Sequence, residues 1–290
     1  MEKILEGKTL AAQIRENLPG KAAEITQKLG RAPRMVGISW QGDYAGHLYL
    51  TKEVNAARKT GIRADIVLVD ENTKEQDFLA LLGKIYQDRS IDALLIPRPL
   101  PAALNSLDLS VLINPAQDID GAGLISMGRL FMCKTWQEVE SLNTFVPCCP
   151  WAVIRLADYH KIELSGKKVA VIGRSNTVGG PLAKMLLCKN ATVTVCHKKT
   201  TDLKDVLLEQ DIVISAAGSA RFIKKDMIKK GTILIDVGTN RDENGIFCGD
   251  TDFENIKQCC AISPVPGGVG PITLACLLEN ILSAAERKTK

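Results

Sequence analysis

At 290 residues, with 46% hydrophobic and 24% charged residues, the chain is long enough for two globular domains with sizeable cores. The net charge of +4 is mild and spread out, with no dense Lys/Arg block interleaved with aromatics, so nucleic acid is not an expected partner. No apolar run is expected to reach the ~18 residues that cross a bilayer, and the start, MEKILEGKTLAAQIRENL, lacks the apolar stretch of a secretory signal. Nine cysteines include two adjacent pairs, Cys148–Cys149 and Cys259–Cys260, without C-x-x-C spacing, and the three histidines are scattered. That pattern points to reduced thiols in a cytoplasmic protein and away from a zinc site.

Taken in order, the spacing predicts a helix over 9–29, a strand over 34–40 and a helix over 49–60 stopped by Gly61. A strand over 63–70, a helix over 74–87 and a buried strand over 91–96 follow, the last running into Pro97–Pro101. A short helix is expected over 107–113. Residues 121–144 read as a connecting segment with a pocket loop, and Pro150 opens a helix through Tyr159. Strand and helix alternate throughout, so the fold class is α/β in both halves.

The stretch from Ser165 to Thr200 reads as strand, glycine-bearing turn, helix and strand. Lys168–Ile172 suits a strand buried on both faces. Gly173 opens the turn, Gly179 and Gly180 close it, and Pro181 sits in the first helical turn, where a missing N–H is tolerated. Free N–H groups at such a helix start favour a pyrophosphate, although the glycine spacing is not G-x-G-x-x-G. Where an NAD site places Asp or Glu, at the end of the second strand, this chain has Cys196, His197, Lys198 and Lys199, with Arg174 in the facing turn. Cations without a carboxylate suit a 2′-phosphate, so NADP is the expected cofactor; the other reading is a basic surface loop. Two more buried strands, 211–215 and 232–236, lead into small-residue loops, Ala216–Gly218 and Gly238–Thr239–Asn240. Pro264–Pro271 packs three prolines and three glycines into eight residues, which argues against helix or central strand, and 273–286 is a closing helix.

Taken together, the chain resembles the methylenetetrahydrofolate dehydrogenase/cyclohydrolase family over essentially its whole length. The resemblance rests on Ile4–Lys8, on Asp118-Ile119-Asp120-Gly121 for D-V-D-G, and on Gly128-Arg129-Leu130. It rests further on Pro147–Pro150 for P-C-T-P, on Gly173–Pro181 for G-R-S-x-x-V-G-x-P, and on Ser263–Thr273 for T-P-V-P-G-G-V-G-P-M-T. It implies a homodimer of two-domain subunits: a folate-binding catalytic domain over 1–146 completed by the helix 273–290, a Rossmann-like NADP-binding domain over 147–272, and a cleft between them. The implied reaction is NADP-dependent oxidation of 5,10-methylenetetrahydrofolate to the 5,10-methenyl form, which most members then hydrolyse to 10-formyltetrahydrofolate. By the same resemblance, Asp120 bonds the pterin, Tyr49 lines or stacks on it, and Pro264, Pro266, Gly267 and Gly268 shape the folate pocket. Gly173, Arg174, Ser175, Val178, Gly179, His197, Lys198 and Thr239 are the implied cofactor residues, with Arg174 and Lys198 near the 2′-phosphate.

The chain departs from the family at one place. The family's hydrolytic lysine, in Y-x-x-x-K, is Glu53 here, the glutamine of V-Q-L-P-L-P is Pro97, and a nearby serine is Gly46. Hydride removal needs placement of the reacting carbons, whereas hydrolysis needs a tuned acid–base group. The expectation is therefore a dehydrogenase with weak or lost hydrolysis, Tyr49, Glu53 and Asp120 being the candidate catalytic residues. Two alternatives stand beside it: a bifunctional enzyme served by Lys52 or Glu53, and a folate- and nucleotide-binding protein without catalysis.

Overall fold

The computed structural model describes residues 3–289. They form two compact units: Ile14–Ser126 with Leu277–Lys290, and Met1–Gln13 with Met127–Cys276. The division implied by the resemblance, 1–146 with 273–290 against 147–272, assigns residues 1–13, 127–146 and 273–276 the other way; its outermost residues 1, 2 and 290 lie outside those described. The first residues belong to the second unit because they are hydrogen-bonded into it, Leu5 N–H donating to Ile262 O at 2.8 Å and Ile262 N–H to Lys3 O at 3.1 Å.

Where a single first helix was expected there are two, α1 (Lys8–Glu16) and α2 (Leu18–Leu29), because Pro19 falls in the first turn of α2 and cannot continue α1. In the first unit, β1 (Arg34–Trp40) is followed by α3 (Tyr44–Lys59), β2 (Arg63–Val69), α4 (Glu75–Gln87), β3 (Ala93–Leu95) and the short α5 (Leu109–Leu112). The strands form a parallel sheet in the order β2-β1-β3, with Val36 facing Asp65 and Leu94. Val36, Ile38 and Trp40 pack with Phe78, Leu82 and Ile85 of α4. The helix α3 starts five residues before the expected Tyr49, because the Asp43 carboxylate caps it by accepting from Gly46 N–H at 2.8 Å.

Residues 121–144 are not a connecting loop: they hold α6 (Leu124–Met132) and α7 (Trp136–Glu140), the latter closed by a reciprocal capping box between Thr135 and Glu138. The second unit then runs through α8 (Cys148–Tyr159), β4 (Lys168–Ile172), α9 (Gly179–Cys188), β5 (Thr192–Cys196), α10 (Leu203–Leu208), β6 (Ile212–Ser215) and β7 (Ile233–Asp236). A hairpin of β8 (Asn240–Arg241) and β9 (Phe247–Cys248), the short α11 (Phe253–Ile256), β10 (Ala261–Ile262) and α12 (Val269–Glu286) complete the chain. Five strands form a parallel sheet in the order β10-β7-β6-β4-β5. Chain order reverses between β4 and β6, and such a switch point opens a crevice at the carboxyl ends of the strands.

Two further expectations are corrected. The helix α12 begins inside the proline- and glycine-rich motif, taking in Val269, Gly270 and Pro271, since proline in a first helical turn lacks only an N–H that would have no partner there. By length and composition, Val269–Thr289 is also apolar enough to cross a bilayer, yet 56% of its most apolar window is buried inside the protein, as in a core helix. All nine cysteines are free thiols, and among the described residues no group of three His, Cys, Asp or Glu is placed to hold a metal.

Candidate functional site

The crevice at the β4/β6 switch point is a cavity of about 660 Å³, within the range of small-ligand sites. Its wall includes Gly173, Arg174 and Ser175 after β4, His197–Thr200 after β5, and Ala216, Ala217, Ser219 and Phe222 after β6. Of the expected cofactor residues, Gly173, Arg174, Ser175, His197 and Lys198 line it. Val178 and Gly179 instead form the start of α9, where their N–H groups donate to the Ser175 hydroxyl at 3.2 and 3.4 Å. Thr239 is exposed in the loop after β7 and is not part of the wall.

The turn over α9 needs glycine. A Cβ on Gly179 would lie 2.0 Å from the carbonyl oxygen of Gly173, so a side chain there would push the turn out of the crevice. At the mouth, the His197 N–H donates to Thr200 Oγ1 at 2.9 Å and its Nδ1 accepts from Lys199 N–H at 3.1 Å. This folds the 197–200 loop so that two lysines and a histidine line the cavity opposite Arg174. The donor set and the lack of a carboxylate in this wall fit the phosphates of a dinucleotide, including one on the ribose 2′ position. Ala216, Ala217, Ser219 and Phe222 were not singled out from the sequence; the signal that was available is their position just after a buried parallel strand.

The other expected groups lie in the first unit. Leu50, Val54 and Ala57 form the buried stripe of α3, and Glu53 falls within it, at 8% exposure. Lys52, about 100° further round the helix, is exposed. The structure thus puts Glu53, not Lys52, on the inward face. Burial, reinforced by the nearby Asp120 carboxylate and opposed by a hydrogen bond from Tyr49 one turn earlier, pushes the Glu53 carboxyl up to about 8. At neutral pH it is mostly an uncharged acid. Tyr49 is half exposed and Asp120 is at the surface.

Glycine at position 46 follows from the cap on α3: a Cβ there would lie 2.1 Å from Asp43 Oδ2. Pro97 is half buried just beyond β3. Beside Asp120, Asp118 is a residue that sequence reasoning used only as part of a motif. Its buried carboxylate accepts from Ala122 N–H and Gly123 N–H, each at 3.0 Å, and from the Ser126 hydroxyl at 2.5 Å, which fixes the turn that presents Asp120.

In the second unit, the segment from Pro264 to Gly268 is a tight loop closed by Gly268 N–H donating to Pro264 O at 2.8 Å. Gly7 N–H donates to Gly267 O at 2.8 Å, tying the loop to the start of the chain. Pro264, Pro266, Gly267 and Gly268 are thereby held together next to β10, and Lys8 packs close to Gly267.

Residues 5–120 match the tetrahydrofolate dehydrogenase/cyclohydrolase catalytic domain, and residues 147–289 match the tetrahydrofolate dehydrogenase/cyclohydrolase NAD(P)-binding domain. The bifunctional protein FolD of Elusimicrobium minutum is 54% identical over 286 residues, spanning 98% of this chain and 99% of its own. The crystal structure of the bifunctional enzyme FolD, methylenetetrahydrofolate dehydrogenase/cyclohydrolase, from Campylobacter jejuni superposes with a TM-score of 0.91 at 36% identity, covering 99% of this chain and 100% of that one. The N5,N10-methylenetetrahydrofolate dehydrogenase-cyclohydrolase of Trypanosoma brucei, solved with NADP cofactor and an inhibitor, gives 0.91 at 29% identity over 100% of this chain and 99% of its own.

Proposed function

Because the chain belongs to the tetrahydrofolate dehydrogenase/cyclohydrolase family, we propose that it oxidises 5,10-methylenetetrahydrofolate with NADP and hydrolyses the methenyl product to 10-formyltetrahydrofolate, with Glu53 as the acid–base group of the second step. The observation that carries this reading is the inward-facing, largely uncharged Glu53 beside Tyr49 and Asp120. The bifunctional names of the relatives favour retained hydrolysis over the loss expected from the lysine's replacement.

NADP, when bound, accepts the hydride that leaves the one-carbon bridge. Arg174, Lys198 and Lys199 hold its phosphates, and the turn from Gly173 to Gly179 seats the pyrophosphate against α9. Asp120 bonds the pterin and Tyr49 stacks on it. Hydride loss leaves a cation spread over two nitrogens, and it needs positioning rather than a base.

Hydrolysis does need one. In its carboxylate form Glu53 takes a proton from water as the water oxygen bonds to the methenyl carbon. The C–N5 bond then breaks with its electron pair staying on N5, and Glu53 returns the proton to that nitrogen. The adduct's remaining hydroxyl proton passes to solvent as the formyl C=O forms, so one proton is released per turnover and Glu53 is regenerated. A group titrating near 8 serves both proton transfers close to neutral pH. Because the carboxylate is the starting form, the hydrolytic rate should rise with pH up to about 8.

We further assign the protein to the cytoplasm, where nine free thiols stay reduced, and to a homodimer. The sheet edge at β5, with Thr194 and Val195 exposed, supports pairing of two copies. The test follows NADPH and folate species while the purified protein turns over methylenetetrahydrofolate. NADPH forming with NADP well ahead of NAD, with 10-formyl product in step, supports the reading. Methenyl product that decays no faster than in buffer would restore the dehydrogenase-only alternative, and binding without turnover the non-catalytic one.

A further inference from the structure

We propose that Asp250 is a positioning residue for the dinucleotide, setting the width of the cavity at the β4/β6 switch point without touching the cofactor. The wall after β6 runs through Ala216, Ala217 and Ser219; Ala216 N–H still donates to Ile172 O of β4 at 2.8 Å, whereas the N–H groups of Ala217 and Ser219 lie beyond the sheet ladder and need other acceptors. Asp250, just after β9 and with no exposed surface, supplies them. Its Oδ2 accepts from Ala217 N–H at 2.7 Å and from the Ser215 hydroxyl at 2.8 Å; its Oδ1 accepts from Ser219 N–H at 2.9 Å and from the Asn240 amide at 2.8 Å. One carboxylate thus gathers the end of β6, the cavity wall and the start of β8.

A second buried carboxylate holds Asp250 itself. Asp236 accepts from Asp250 N–H at 3.1 Å, from Gly238 N–H at 2.9 Å, and from Thr251 through its N–H and hydroxyl at 2.9 and 2.6 Å. Its own N–H donates to Ser263 Oγ at 2.7 Å, at the head of the proline–glycine loop. On the cavity side, a Cβ on Gly173 would lie only 2.3 Å from the Ala216 carbonyl oxygen. The turn that carries Arg174 and Ser175 therefore rests directly on the segment that Asp250 fixes, so movement of residues 216–219 changes the spacing of the two walls.

The proposal rests on dinucleotide binding at this cavity, and its test separates the two. NADP affinity is measured by calorimetry on the full chain, alongside KM for methylenetetrahydrofolate. In Asp250→Asn, whichever way the amide turns, its NH2 faces the N–H of Ala217 or of Ser219, and neither can turn round to accept. The expected result is a roughly tenfold weaker Kd for NADP, equivalent to about 1.4 kcal/mol, with the folate KM within about twofold. Ser215→Ala removes one donor and keeps both backbone bonds, so it should weaken NADP by about two- to threefold, and it decides the matter if Asp250→Asn does not fold. Unchanged NADP affinity in the folded variants, or equal losses for NADP and folate, would overturn the proposal. Wild-type protein that fails to bind NADP would overturn it together with the reading on which it rests.

Discussion

Asp236 and Asp250 of the second unit and Glu53 of the first are all buried carboxyl groups, and their surroundings treat them in opposite ways. In the second unit, Asp236 and Asp250 are surrounded by donors, four groups pointing at each, so both serve as fixed acceptors that tie loops together. In the first, Glu53 meets one phenolic hydroxyl and a second carboxylate, so the cheaper response to burial is to keep its proton. The difference teaches that depth alone does not assign a role to a buried acid. What decides is the supply of donors: a saturated carboxylate organises structure, and a starved one is left free to exchange protons.

The sharpest way to break this comparison is through pH and stability. Glu53 has its folded-state value raised from 4.5 to about 8. Below about pH 4.5 both folded and unfolded chains hold the proton, and no penalty arises. Between 4.5 and 8 the unfolded chain releases it while the folded one does not, so stability falls as pH rises, and the loss is complete above 8. Glu53→Gln should remove a penalty on the order of 4–5 kcal/mol at high pH and almost none at pH 4. Chemical denaturation at pH 4, 6.5 and 8.5 reads this; a gap between variant and wild type that does not widen with pH would sink the contrast.

In the donor-rich region, Gly249→Ala places a Cβ 2.1 Å from Asp236 Oδ2 and should destabilise the chain by about 3 kcal/mol at any pH between 6 and 8.5. A melting temperature unchanged by this substitution would mean that the carboxylate is not held where its hydrogen bonds place it. The smallest effect is expected in the first unit, at Asp118, where burial raises the carboxyl and the Ser126 hydroxyl opposes that shift. Ser126→Ala should cost about 1–2 kcal/mol by removing one of three donors. A loss of folate affinity larger than the loss of stability would show that the turn under Asp120 also acts in binding.

Much of this was legible in the sequence, and the exceptions have physical causes. Strands β1 and β4 match their expected bounds because both are buried apolar runs with clear turns on either side. The early start of α3 was missed because its cap, Asp43, sits between two glycines, Gly42 and Gly46, that read as loop, and the helices within 121–144 were missed because methionines and glycines mask their periodicity. The cavity residues Arg174, His197 and Lys198 stood out by charge type in a motif, whereas Ala217 and Ser219 are small residues whose place depends on Asp250, some thirty positions further on. Replacement of the family's lysine by Glu53 follows from the resemblance, which aligns Tyr49–Glu53 with Y-x-x-x-K. Its protonation does not, since that depends on burial by α3 packing and on the distance to Asp120, neither of which spacing encodes.

The most direct test of the central claim compares wild type and Glu53→Gln for decay of added methenyltetrahydrofolate and, separately, for NADPH formation from methylenetetrahydrofolate. The account predicts that the variant loses hydrolysis by about 100-fold or more, the scale of a general acid–base group, while NADPH formation stays within a few-fold. Hydrolysis that is equal in the two proteins and faster than in buffer would contradict it, placing the acid–base chemistry on some group other than Glu53.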